Sequence, residues 1–465
     1  MKKYKIDLAS ENTLLTVLKL CIPAMLGQFV NVLYSIIDRL YIGQIKDIGE
    51  KALGGIGVVA PLITMLVSFA YLIGIGGAPF MMRKLGEKDK QKADQIMANS
   101  FLLLLILGVL IPTISFIFLD PLLVAVGSTS DMIEYSKQYM IVYLLGNCFA
   151  LIATGLSQFI SAQGYSKIAM IGLILGAILN IALDPLFIFV FKLNVIGAAL
   201  ATIISQFATF VFCLMFLLSK KSNIRITFKG YDIKTCLEII KYGASPFLIY
   251  VTDGLTMICI DKSISIHGGV SSSDMLVGLT ITNCIYQLVS MPLLGVSNGT
   301  QGVLSYNFGA GNTKIVKKAQ KDILFVGLMF TTISFIVLFF LIVPISKIFT
   351  NNETVLKYAK ISSTLYLIGT LPLALQYCIV DGTTALGYPL ESTLLSLSRK
   401  GIIIIGSFVL PLIFKTANSI FYSQMIGDIF NSFLCALIYI FLFPKILTRC
   451  EKHHQEMIEK QLVKN

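Results

Sequence analysis

Asp38, Asp184 and Thr202 stand inside long apolar stretches. A carboxylate at the centre of a membrane-spanning helix costs about 3 kcal/mol or more, so each needs a reason to be there. Asp38 lies five residues before Gly43, Asp184 seven before Phe191, and Thr202 seven after Val195. If the first and fifth stretches run outward and the sixth returns, ~1.5 Å per residue puts all three roughly 8–12 Å beneath the outer face. Asn180, four residues before Asp184, shares its helical face one turn deeper. Two carboxylates, an amide and a hydroxyl form a set of hard oxygen ligands. Brought close together, the carboxylates do not both stay ionised without a counter-charge. Either a proton is held there or a hard cation such as Na⁺ is bound by the oxygens.

Each member also has a plainer use. Asp38 can pair with Arg39 at a solvated helix end, and Asp184-Pro185 can begin a turn. Thr202, at the end of Gly197-Ala-Ala-Leu-Ala-Thr202, suits a small-residue helix interface, and Asn180 suits an interhelical hydrogen bond. Their common depth sets them apart from their individual readings. Asp253 is deep in the seventh stretch, where it either attracts a cationic substrate or pairs with a partner elsewhere in the chain. Asp261 beside Lys262 reads as a solvated pair. Asn31, Gln287 and Gln376 are candidates to line a substrate cavity together with Asp253, although interhelical bonding is the commoner use of such residues.

The elements that position these groups follow from composition. The chain is 56% hydrophobic and only 13% charged across 465 residues, too little charge to cover a water-soluble surface. Apolar runs longer than the ~18 residues needed to cross a bilayer recur from end to end. Helices are expected near 14–42, 52–80, 95–119, 132–162, 166–191, 195–218, 236–263, 274–305, 320–347, 356–386, 391–414 and 418–444. The resulting fold class is all-α, a polytopic membrane protein of twelve transmembrane helices in two parallel six-helix lobes. The expected divisions are an N-terminal segment 1–13, an N-lobe 14–218, a linker 219–235, a C-lobe 236–444 and a tail 445–465.

Assigning alternate loops to one side collects most of the 37 Lys and Arg on the side that holds both termini, which makes that side cytoplasmic. Lys2, Lys3 and Lys5 precede a first run too long for a signal peptide and without a small-residue cleavage site, so it reads as a retained helix. The net charge of +12 is therefore a topology signal with attraction to anionic lipid, and no nucleic-acid module accompanies it. The nine cysteines are scattered, without a C-x-x-C pair, and indicate neither a disulfide framework nor a metal site.

The two lobes echo each other at a constant offset of 223 positions. Pro23 pairs with Pro246, Asp38 with Asp261, Gly55 with Gly278 and Tyr135 with Tyr358. Tyr143–Gly146 matches Tyr366–Gly369, and Ala162, Gly164 and Tyr165 match Ala385, Gly387 and Tyr388. One shared register is hard to obtain by chance in apolar sequence. With six spans per lobe the repeat is parallel, the architecture of transporters whose cleft opens to alternate sides. The chemistry is not duplicated: Asn180 and Asp184 fall opposite Ile403 and Ser407. Pro23 should leave the Lys19 carbonyl unpaired, which favours a kink there.

Several motifs carry a resemblance. They are Ile-Ile-Asp38-Arg-Leu-Tyr-Ile-Gly43, Asn180-Ile-Ala-Leu-Asp184-Pro185, Met291-Pro-Leu-Leu-Gly295 through Gln301, Tyr306-Asn-Phe-Gly-Ala-Gly311, and Leu397-Ser-Arg399. In their order and spacing over residues 14–445, the chain resembles the multidrug and toxic compound extrusion (MATE) transporters. The resemblance implies a bacterial inner-membrane pump that exports small amphiphilic organic cations in exchange for Na⁺ or H⁺ by alternating access. It implies no cofactor beyond the coupling ion, and Asp38, Asn180, Asp184 and Thr202 as the N-lobe cation site. One branch of the family has further carboxylates in its seventh and tenth helices. Asp253 stands near the first position, but Gln376 stands at the second, which speaks against a C-lobe site. A monomer is expected.

Two other readings stay open. A flippase for a lipid-linked saccharide should line its cleft with basic residues, for which Arg39 and Arg399 are the candidates. A membrane enzyme would need a nucleophile–base or metal-ligand cluster. The three histidines, His267, His453 and His454, lie in a loop and the tail.

Overall fold

The computed structural model describes residues 6–126 and 132–464; Lys2, Lys3 and Lys5 lie outside the described residues. In lipid a long apolar segment must satisfy every backbone polar group internally, and helices result. They are α1 (Thr13–Gly43), α2 (Gly49–Gly86), α3 (Lys90–Ile117), α4 (Leu119–Ala125), α5 (Ile133–Ala162), α6 (Ser166–Pro185) and α7 (Asn194–Leu218). The second half continues with α8 (Ile233–His267), α9 (Ser272–Gly309), α10 (Thr313–Phe349), α11 (Glu353–Ala385), α12 (Pro389–Phe414) and α13 (Ile420–Lys464). Among the described residues, twelve helical segments are long and apolar enough to cross a membrane, so the all-α, twelve-span expectation holds. The exception is the short α4, which no hydrophobic period announced.

Several helices outrun their apolar stretch. The ninth span begins at Thr313 rather than near 320, and the last helix continues to Lys464 rather than stopping near 444. Once nucleated, a helix propagates through polar turns at little cost. Caps set some starts: the Asp89 side chain accepts from Lys92 N at 2.9 Å before α3, and Asn352 accepts from Thr354 N and Val355 N before α11.

The duplication is visible in the backbone. Left-handed conformations recur at the offset of 223: Lys88 (φ 63°) with Gly311 (φ 74°), Gly164 (φ 87°) with Gly387 (φ 88°), and Lys192 (φ 56°) with Lys415 (φ 52°). A left-handed non-glycine residue costs roughly 1–2 kcal/mol. Two lysines held there at equivalent chain reversals therefore mark a turn geometry imposed by the helices on either side.

Packing divides the chain into two compact units: residues 1–8 with 26–254, and residues 9–25 with 255–465. The division falls inside α1 and inside α8. In the first unit, the early part of α8 lies hard against α2: a Cβ on Gly243 would stand 1.7 Å from the Leu72 carbonyl oxygen, and Tyr71 stacks on Tyr250 at 4.1 Å. In the second unit, the early part of α1 lies against α9, where a Cβ on Gly295 would stand 2.8 Å from the Ala24 carbonyl. Thr13 also donates its hydroxyl to Asp322 there.

The linker belongs to the first unit. Gln163 Oε1 accepts from Ile224 N at 2.9 Å and from the Ser222 hydroxyl at 3.0 Å. Asn99 Oδ1 accepts from Asp232 N at 3.0 Å, and the Lys92 ammonium donates to the Thr235 hydroxyl at 2.6 Å. The hydroxyl of Thr235 leads the bonds that hold the half-buried Asp232 carboxyl below the usual carboxylate range.

Candidate cation site

The four oxygen-bearing residues singled out by depth come together in the first unit. Asp38 arrives from α1, Asn180 and Asp184 from α6, and Thr202 from α7; all four are buried. Asp38 is 9% exposed, which does not match a solvated helix-end residue. Its carboxyl group is within hydrogen-bonding reach of the Asp184 carboxyl. Asn180 donates through Nδ2 to Asp184 Oδ1 at 3.3 Å and to Thr202 Oγ1 at 3.5 Å. Thr202 in turn donates to the Ala198 carbonyl at 3.0 Å, which fixes its hydroxyl on the inner face of α7.

Local backbone shape explains the convergence. Pro185 follows Asp184, and Leu186–Val190 then opens into a wider π-helical turn before the reversal at Lys192. The helix therefore continues past Asp184 instead of ending there, at the cost of a distorted turn, a feature common at functional sites. Gly197 lets α7 approach that turn: a Cβ there would lie 2.8 Å from the Phe187 carbonyl carbon. Thr202, one and a half turns further on, is thereby brought to Asn180.

Three acceptors in the cluster are buried without a hydrogen-bond partner: Asp38 Oδ1, Asn180 Oδ1 and Asp184 Oδ2. Buried oxygens are rarely left so, and each specific case calls for an explanation. Two unit negative charges ~4 Å apart repel by about 4 kcal/mol at an effective dielectric of ~20. A proton shared by the carboxyls, or one hard cation bridging the orphaned oxygens, removes both the repulsion and the unmet acceptors. The side chains of Asp38, Asn180, Asp184 and Thr202 offer oxygen acceptors, the ligands a hard cation takes.

Two tyrosines complete the cluster and were not singled out from the sequence. The Tyr139 hydroxyl of α5 reaches Thr202, and Tyr34 lies one turn before Asp38, within range of both acid charges. Tyr139 stacks on Tyr143 with ring centroids 6.0 Å apart. The i, i+4 spacing of these two rings was the available signal. Of the other candidates, Asn31 and Asp253 belong to the first unit and are half-buried, whereas Gln287 and the buried Gln376 belong to the second. Gln376 Oε1 is buried without a partner.

Comparison with known proteins follows the same lines as the motifs. A family profile described as MatE matches residues 23–186 and 262–409. Multidrug export protein MepA of Staphylococcus haemolyticus is 25% identical over 443 residues, covering 94% of this chain and 95% of the relative. MepA of Staphylococcus aureus matches at the same identity and coverage. An outward-facing multidrug resistance MATE family transporter of the MOP superfamily superposes with a TM-score of 0.86 at 20% identity, over 96% of this chain and 99% of that one. A MOP superfamily transporter from Pyrococcus furiosus, described as having a binding pocket whose reverse polarity suggests a different function, superposes with a TM-score of 0.88 at 21% identity, over 95% and 98% of the two chains.

Proposed function

Because the chain belongs to the MatE family, we propose that it is a secondary multidrug exporter that moves small amphiphilic cations out of the cell in exchange for inward Na⁺ or H⁺. That the MepA relatives are multidrug export proteins supports the substrate class. The observation that carries the coupling is the set of three unpartnered buried oxygens around the Asp38–Asp184 contact. A cation or proton entering from outside neutralises the acid pair and meets those oxygens. Its loss to the inside restores the repulsion. A positive charge moving inward gains ~2.3 kcal/mol per 100 mV of membrane potential, so a single ion supplies useful drive.

In this reading the protein sits in the bacterial cytoplasmic membrane as a monomer with both termini inside, and works by alternating access of its two lobes. Asn31, Asp253, Gln287 and Gln376 contact substrate in a largely apolar path. A flippase for an anionic lipid-linked saccharide is disfavoured, because the buried Arg399 is already paired with Asp428 at 2.6 Å and is not available to a pyrophosphate. The deciding experiment is efflux of a fluorescent organic cation from proteoliposomes under separately imposed Na⁺ and pH gradients. Gradient-driven efflux that is lost in Asp38→Asn and Asp184→Asn is expected. Wild-type efflux by both variants sinks the coupling claim, and transport of lipid-linked sugar in place of the dye sinks the substrate class.

A further inference from the structure

The second unit has a polar cluster of its own, with Arg399, Gln424 and Asp428 buried at its centre, built from intramembrane residues that the export reading does not use. Arg399 of α12 places Nε 2.6 Å from Asp428 Oδ1 of α13. Its NH2 group donates to the Tyr286 hydroxyl of α9 at 2.8 Å, and that hydroxyl donates to Asp428 Oδ2 at 3.3 Å. Gln424, one turn before Asp428, donates to both carboxylate oxygens at 3.2 and 3.1 Å. Tyr377 of α11 also bonds Arg399. Buried Lys400 lies within range of the Asp428 charge, and Tyr366 feels both Asp428 and the exposed Asp261. Gly369 of α11 makes room for the acid, since a Cβ there would lie 3.1 Å from Asp428 Cβ.

At the offset of 223, Arg399 falls on Gly176 and Asp428 on Ser205. These are one turn from Asn180 on α6 and just under one turn from Thr202 on α7. The second cluster thus draws on the counterparts of α6 and α7 but not on the counterpart positions of the acid pair, since Asp38 falls on Asp261 and Asp184 on Ser407. In the first unit the carboxylates face each other with acceptors unfilled. In the second, the guanidinium of Arg399 stands where a cation would be, with both oxygens of Asp428 bonded.

We infer that Arg399 is a tethered counter-cation that occupies the cation position beside Asp428 and closes the second unit's buried acid to exchangeable cations, so that each molecule carries coupling ions in the first unit alone. The inference rests on the coupling reading above for the identity of the exchangeable cation, but not for its test. Arg399 is a positioning residue in this account: its fixed charge holds Asp428 neutralised throughout the cycle. A guanidinium is suited to this because it stays protonated and offers several donors in a rigid fork.

The test counts cations. Equilibrium binding of radioactive Na⁺, with proton uptake followed in weakly buffered solution, is measured on the purified full-length protein and on variants. Removing both nearby tethered cations in Arg399→Gln/Lys400→Gln is expected to add one bound Na⁺ or proton per molecule over the parent. Adding Asp428→Asn should remove that gain. The same gain should appear in an Asp38→Asn background, so failure of the first-unit site to bind anything would count against the coupling reading and leave this result interpretable. No gain in a folded double variant overturns the inference. Should that variant not fold, the neutral pair Arg399→Gln/Asp428→Asn decides: an unchanged count relative to wild type supports the inference, and a count lower by one overturns it.

Discussion

The acid cluster of the first unit and the ion pair of the second, in the two halves of a duplicated chain, solve the problem of a buried carboxylate in opposite ways. Asp38 and Asp184 meet each other and leave three oxygens without partners. Asp428 meets Arg399, Tyr286 and Gln424 and leaves none. A buried charge is tolerated when paired and hydrogen-bonded and is costly otherwise. The first cluster is therefore incomplete without something exchangeable, and the second is complete as built. On the reading proposed above, one scaffold holds a site whose state follows the solution and a site whose state does not.

The sharpest way to break this contrast is in transport. Asp38→Asn or Asp184→Asn is expected to lower gradient-driven efflux by roughly 100-fold or more, in line with the ~2–5 kcal/mol lost when one member of a buried charge constellation is truncated. The arginine-neutralised pair Arg399→Gln/Asp428→Asn should retain cation-coupled efflux in the same assay. A reversed ranking would mean that the second cluster, not the first, couples the gradient.

Stability separates the two clusters next. Asp428→Ala leaves Arg399 buried and unpaired, with an expected cost of about 3–5 kcal/mol, whereas replacing both partners with neutral residues of similar size should be close to neutral. Thermal melts followed by size exclusion in detergent read the difference. Asp184→Asn should cost far less than Asp428→Ala, since it removes one of two repelling charges. Equal losses for the two would erase the distinction between an incomplete and a complete site.

Smaller effects test the surroundings. Tyr139→Phe deletes the hydroxyl that reaches Thr202 and should weaken cation binding by about 5–10-fold, the net worth of one hydrogen bond of ~1–1.5 kcal/mol. Tyr366→Phe, at the position equivalent to Tyr143, should leave cation binding unchanged. Cation titrations of dye efflux distinguish them. At the smallest scale, Lys192→Gly and Lys415→Gly each relieve a left-handed backbone and should stabilise by about 0.5–1 kcal/mol, less the entropy glycine loses on folding. Melting shifts of the same sign in both would confirm that the scaffold is duplicated even where the chemistry is not.

Much of the fold was legible because bilayer thickness demands long apolar runs and leaves helix as their form. The constant offset of Pro23, Gly55 and Tyr143 with their counterparts disclosed the repeat, and the paired left-handed turns at Gly164 and Gly387 are its backbone expression. Asp38, Asn180, Asp184 and Thr202 were found from depth alone, since residues a known number of turns from a loop share a layer of the membrane. Asp381, Lys400 and Asp428 stand in equally apolar surroundings and passed unremarked, although the same rule that selected Asp38 applies to them. Asp381 accepts from Ser297 in the second unit.

By itself, then, the sequence determined the number of spans, their duplication and which oxygen-bearing side chains share a depth, because these depend only on residue type and spacing along a helix axis. It did not determine rotation about that axis. Only the tertiary structure decided that Asp38 turns toward Asp184, that Tyr139 joins them, and that Arg399 turns toward Asp428. Those choices depend on which helices pack side by side and how closely, as at Gly197 against Phe187 and Gly369 against Asp428. Packing likewise assigned the first part of α1 to the second unit and the first part of α8 to the first, a partition that no linear repeat contains.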